Sequence, residues 1–207
     1  METSQSRPDR HAAQRGFTLI ETLVSIGVMT VGLLALAALM AQTLGTTQRS
    51  QFLGVATTLA SEKLEDLNRW PESDPNVFVP TTAASVGSLT SDVVQNVTSG
   101  AVTESVNYYD EVLLSVVNGS VSETRTSLDD TGALQYVTTS HAADGTISVS
   151  APSTTPPNTQ GAAQFKRRWI IERDQPIAGV RRITVLVTVI NQPINPPIEF
   201  QMSTVRP

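Results

Sequence analysis

From Phe17 to Gln48 the chain is apolar except for one ionisable side chain, Glu21. The run is longer than the roughly 20 residues that a helix needs to cross a bilayer, and no other segment restricts the fold so strongly. Residues Met1 to Gly16 before it are polar, carry Arg7, Arg10 and Arg15, and hold no apolar stretch of their own. A secretory signal peptide has a shorter apolar run with a small-x-small cleavage site behind it. Here the polar leader comes first and the long anchor second. Arginines before the run, with few basic residues directly after it, predict a cytoplasmic N-terminus and the bulk of the chain outside.

Within the run, Ala37, Ala41 and Gly45 recur every four residues and offer a small-residue face for close helix approach. After Gln48 the helical pattern continues in amphipathic form. Phe52, Val55, Ala56, Leu59, Ala60, Leu64 and Leu67 recur at three and four residues, with Arg49, Glu62, Lys63, Glu65, Asp66 and Arg69 between them. Pro71 ends it. A helix from Phe17 to Trp70 would be roughly 80 Å long. The expected organisation is a leader over 1–16, a transmembrane helix over 17–48, its amphipathic continuation over 49–70, and a β-rich head over 71–207.

The junction Arg15-Gly16-Phe17-Thr18-Leu19-Ile20-Glu21 is the most specific motif in the chain. It resembles the class III signal of type IV pilins and type II secretion pseudopilins: a short basic leader, glycine before the cut, an aromatic after it, and glutamate as fifth residue of the mature chain. The resemblance implies that a prepilin peptidase cuts between Gly16 and Phe17 and that the new Phe17 amine is methylated. It also implies a single-pass inner-membrane precursor that later joins a pilus or pseudopilus through its N-terminal helix. Gly16 suits the first step, because it has no side chain to obstruct its carbonyl. Glu21 suits the last, since a carboxylate in an apolar segment costs about 2.5–3.5 kcal/mol at mid-helix and needs a partner. In pilins the corresponding glutamate neutralises the terminal amine of a neighbouring subunit. The plainer alternative places Glu21 in the first helical turn, where the helix dipole favours it.

In the head, residues 71–107 are rich in Ser, Thr, Val and Pro and read as an extended loop with one short strand. Glu111 to Val117 and Ser120 to Thr126 flank Asn118-Gly119, a strong hairpin signal. Leu134 to Thr139 and Thr146 to Ser150 flank a turn over His141 to Gly145, and Pro152 to Gln160 reads as a loop. Phe165, Arg167, Trp169 and Ile171 alternate with Lys166, Arg168, Ile170 and Glu172. A Pro176 to Gly179 turn leads to Ile183, Val185, Val187 and Val189, again in alternation. One face of this pair can cover a helix, which predicts an α+β fold with an antiparallel sheet packed on residues 50–70. The closing segment with Pro193, Pro196 and Pro197 reads as a loop or edge strand. Together with Ala60-Ser61-Glu62-Lys63-Leu64-Glu65, the Arg-Arg-Trp strand before a Val-rich strand resembles minor pilins of the PilV type and related pseudopilins. The chain has no cysteine, so it lacks the disulfide that often closes a major pilin's C-terminal loop, and this favours a minor subunit. A single-pass membrane protein unrelated to pili is the alternative of a different kind.

Other features point less sharply. Lys166-Arg167-Arg168 beside Phe165 and Trp169 has the ingredients of a nucleic-acid patch. Strand alternation splits it between two faces, however, so a solvated face is the first reading, contact with acidic neighbours the second, and nucleic acid is not an expected partner. His141 with Asp144 and Asp129-Asp130 has no metal-loop spacing, and the Asn96 and Asn118 sequons match a common triplet. With two histidines and no P-loop, HExxH or GxSxG pattern, the sequence suggests no enzyme and calls for no metal or cofactor.

Overall fold

The computed structural model describes residues 18–117, 119–129, 131–192 and 196–207. Its first element is a single helix, α1 (Leu19–Arg69). The described chain falls into two compact units that divide after Thr47, and α1 contributes to both. Up to Leu44 the helix carries Leu, Ile, Val and Met side chains that are all exposed. In the second unit the pattern becomes one-sided: Ala56, Leu59, Ala60, Leu64 and Leu67 are buried, with Phe52, Leu53 and Val55 packed partly against the same core. Each fully buried Leu contributes about 1.5–3 kcal/mol, so this face fixes the second half of the helix on the head.

Among the described residues ten strands follow: β1 (Ser85–Gly87), β2 (Val94–Ser99), β3 (Val102–Asn107), β4 (Tyr109–Val117), β5 (Ser120–Leu128), β6 (Leu134–His141), β7 (Ile147–Val149), β8 (Ala163–Arg173), β9 (Arg181–Val189) and β10 (Glu199–Arg206). The main sheet runs β10-β9-β8-β4-β5-β6-β7, and β1 joins β8 beside β4. All pairings are antiparallel. The β8–β9 register sets Phe165 opposite Val189, Arg167 opposite Val187, Trp169 opposite Val185 and Ile171 opposite Ile183. All eight are buried and form the sheet's helix-facing side. The result is the expected α+β architecture, a long apolar N-terminal helix whose second half packs on an antiparallel sheet.

The β4–β5, β6–β7 and β8–β9 pairs lie where alternation and turn chemistry place them. The closing segment forms edge strand β10, paired along its length with β9. Residues 71–107 differ from expectation. They hold three strands, with β2 and β3 forming a separate two-stranded ribbon around the Gly100 turn. Only Val97 and Val106 of this ribbon are buried, so the sequence carries no alternating apolar pattern that would announce it. At β1, Gly87 has φ +82, and an added Cβ would lie 2.3 Å from the Trp169 carbonyl oxygen and 2.8 Å from the Tyr108 ring. Glycine is required there both for its backbone conformation and for the space.

Candidate functional site

The expected processing residues Gly16 and Phe17 lie outside the described residues, as does the leader. Immediately after them, the Thr18 carbonyl accepts hydrogen bonds from the amides of Glu21 at 3.0 Å and Thr22 at 3.2 Å, which opens the helix. Glu21 therefore occupies the first turn of α1 and is exposed. Among the described residues its carboxylate meets no cation. Most hydroxyl groups of α1 in this segment are satisfied within the helix. Thr22 donates to the Leu19 carbonyl, Ser25 to Glu21, Thr30 to Ile26 and Thr43 to Leu39, at 2.7–2.8 Å. Such back-bonding leaves no side-chain donor of these residues unanswered in hydrocarbon. The segment is long and apolar enough to cross a membrane. Ala37, Ala41 and Gly45 lie on its exposed surface, and a Cβ added at Gly45 would meet nothing within 4 Å among the described residues.

The head anchors its part of α1 through a buried polar joint as well as through apolar packing. Arg167, 2% exposed, donates from its guanidinium to Asp110 at 2.6 and 2.7 Å. Lys63 of α1 approaches the same carboxylate at 3.5 Å and stands 4.1 Å over the Trp169 ring. Burial pushes the Asp110 carboxyl up, but Arg167 and Lys63 reverse that effect and hold it below the usual carboxylate range. The Arg206 guanidinium donates to the Asn68 and Trp70 carbonyls at 2.8 and 2.6 Å, answering acceptors that the helix end leaves open. Arg125 joins Glu62 of α1 to Glu123 of β5.

These contacts correct the reading of Lys166-Arg167-Arg168 as a solvated face. Arg167 is buried, Lys166 lies 2.7 Å from Asp92 and 3.0 Å from Glu111, and Arg168 lies 2.7 Å from Asp92. All three cations are engaged by carboxylates of the same chain. The Asp129 and Asp144 carboxylates accept from backbone amides of their own turns, as short acidic side chains do in turns. Sequence reasoning missed the roles of Asp110, Lys63 and Arg206. The signal available was an arginine within the apolar register of β8, which demands a buried counterion.

Residues 11–37 match the family model described as the prokaryotic N-terminal methylation motif. The match spans Gly16, Phe17 and Glu21 and is confined to the N-terminal segment. Comparison with curated proteins and with solved structures gives no match. The motif, joined to a long apolar helix and an α+β head, supports a type IV pilin-like protein of the kind that prepilin peptidase processes. It fits a membrane-anchored precursor.

Proposed function

We propose that this chain is a minor pilin, a structural subunit with no catalytic role. In this reading, prepilin peptidase cuts on the cytoplasmic side between Gly16 and Phe17, and the Phe17 amine is methylated. The helix stays in the inner membrane with the head outside until the subunit enters a type IV pilus or its priming complex. The observation that carries the reading is the methylation motif over residues 11–37, which runs into the apolar, exposed first half of α1. Ala37, Ala41 and Gly45 would face neighbouring helices, and Glu21 would pair with the amine of an adjacent subunit. The second membership compatible with the same motif is a type II secretion pseudopilus, which shares this processing.

The test is Glu21→Ala. Removing a charge from an apolar helix eases insertion, and the cleavage junction is untouched, so the variant should be inserted and cut as the parent is. Its amount in sheared filaments should fall at least about tenfold, the effect of losing roughly 1.4 kcal/mol of docking free energy. Entry into filaments at parental levels would refute the assembly role of Glu21. Complementation of a piliation defect, as opposed to a secretion defect, by the parental chain would separate pilus from pseudopilus.

A further inference from the structure

The head contains a cavity of about 880 Å³ bounded by the end of α1, by β3 and by the turn after β5. That volume lies within the range of small-molecule sites, about 300–1,000 Å³. Its lining is mixed in a particular way. Glu104 presents a carboxylate with no ion pair among the described residues, the Lys63 ammonium is flanked by the Asp66 and Asp110 carboxylates at 3.4 and 3.5 Å, and Asp129 uses one carboxylate oxygen on its own turn; the carboxylates only accept hydrogen bonds and the ammonium only donates. Trp169, also in the wall, is 4% exposed, and its indole N–H has no acceptor among the described residues. The Asn107 side-chain carbonyl, buried behind the same wall, has no donor among the described residues. Trp70 at the rim is 40% exposed and offers an aromatic surface.

From this arrangement we infer that the cavity binds a neutral saccharide. An anion would meet the repulsion of several carboxylates. A cation would satisfy carboxylates but, having no acceptor, would leave the indole N–H unanswered. A sugar hydroxyl both donates and accepts, so one ring can serve the carboxylates and the Asn107 carbonyl as acceptors and Lys63 and Trp169 as donors. The Lys63 ammonium stands over the Trp169 ring, so its side chain must shift for a hydroxyl to reach the indole N–H. The apolar C–H face of the sugar is left to stack on Trp70. Glu104 is exposed on β3 and makes no ion pair among the described residues, which leaves its carboxylate available to a ligand.

Both tryptophans of the chain line this cavity, so intrinsic emission reports on it directly. The full mature protein, held in a detergent without a sugar headgroup, would be titrated with neutral oligosaccharides of hexoses and N-acetylhexosamines, and in parallel with polyphosphate and spermidine. The expected result is a saturable emission change with at least one neutral saccharide at a Kd of about 1 mM or below, and none with the two charged probes. Glu104→Ala should weaken binding about tenfold with an unchanged far-ultraviolet circular dichroism spectrum. Trp70→Ala should do the same when followed by saturation-transfer NMR on the sugar. The inference is overturned if no neutral saccharide gives a saturable response, if polyphosphate or spermidine binds better, or if both variants bind as the parent does.

Discussion

The Asp110–Arg167 ion pair lies buried in the head. Both residues are nearly excluded from solvent, and the pair receives Lys63 from the helix. Removing one partner of a buried pair strands the other charge, which costs roughly 3–5 kcal/mol. Asp110→Ala should therefore lower the unfolding free energy by about that amount in urea denaturation. The pH dependence has a fixed sign. Because the Asp110 carboxyl is held below its ordinary value, the unfolded chain binds this proton more readily than the folded one. Its contribution is present above about pH 4 and lost as pH falls through and below that value. Asp110→Asn should start less stable at neutral pH and decline less steeply in acid. Equal acid slopes for parent and variant would remove Asp110 from this role. Gly87 is the second sensitive residue. Gly87→Ala should cost at least about 3 kcal/mol, since a positive φ and a collision with a backbone carbonyl act together. A melting temperature unchanged from the parent would contradict the close approach of β1 to β8.

Among the elements, α1 and the β8–β9 pair were legible in the sequence because both carry an apolar period with one solvent-facing side interrupted by charge. Phe52 through Leu67 repeat at helical spacing, and Phe165 through Ile171 alternate. The β2–β3 ribbon was not legible, because a two-stranded element that buries only Val97 and Val106 needs almost no apolar alternation. Arg167 was misread for a related reason. It sits in the apolar register, but its counterion Asp110 is far away in sequence, and only the β4–β8 register, which sets the two opposite each other, brings them together. The end of the helix is a mixed case. Pro71 marks the stop, since proline disfavours helical backbone in the residue before it. The donor that answers the last carbonyls is Arg206, near the C-terminus. Arg206→Ala should cost about 1 kcal/mol and speed hydrogen exchange in the last turn of α1 and along β10. Exchange that is unaltered in both elements would show that the contact does not couple them.

At the scale of the whole molecule, two kinds of surface divide the work. The first half of α1 exposes a largely apolar surface and one carboxylate, which suits a segment anchored in a membrane. The Gln48–Pro207 unit has its own core and its own internal ion pairs. The expected processing residues Gly16 and Phe17 are read from the motif alone, because a peptidase recognises a short local sequence. The saccharide cavity is not, because its walls come from α1, β3, β4, β5 and β8 and meet only in the folded head. Most of the proposed biology rests on the first of these, and one measurement tests it most directly. The mature protein, isolated from cells that hold an active prepilin peptidase, would be subjected to N-terminal sequencing and intact mass spectrometry. The expected chain begins at Phe17 and carries a methyl group on its amine. A chain that begins at Met1, or one cut within or after the apolar run, would contradict the pilin-like reading.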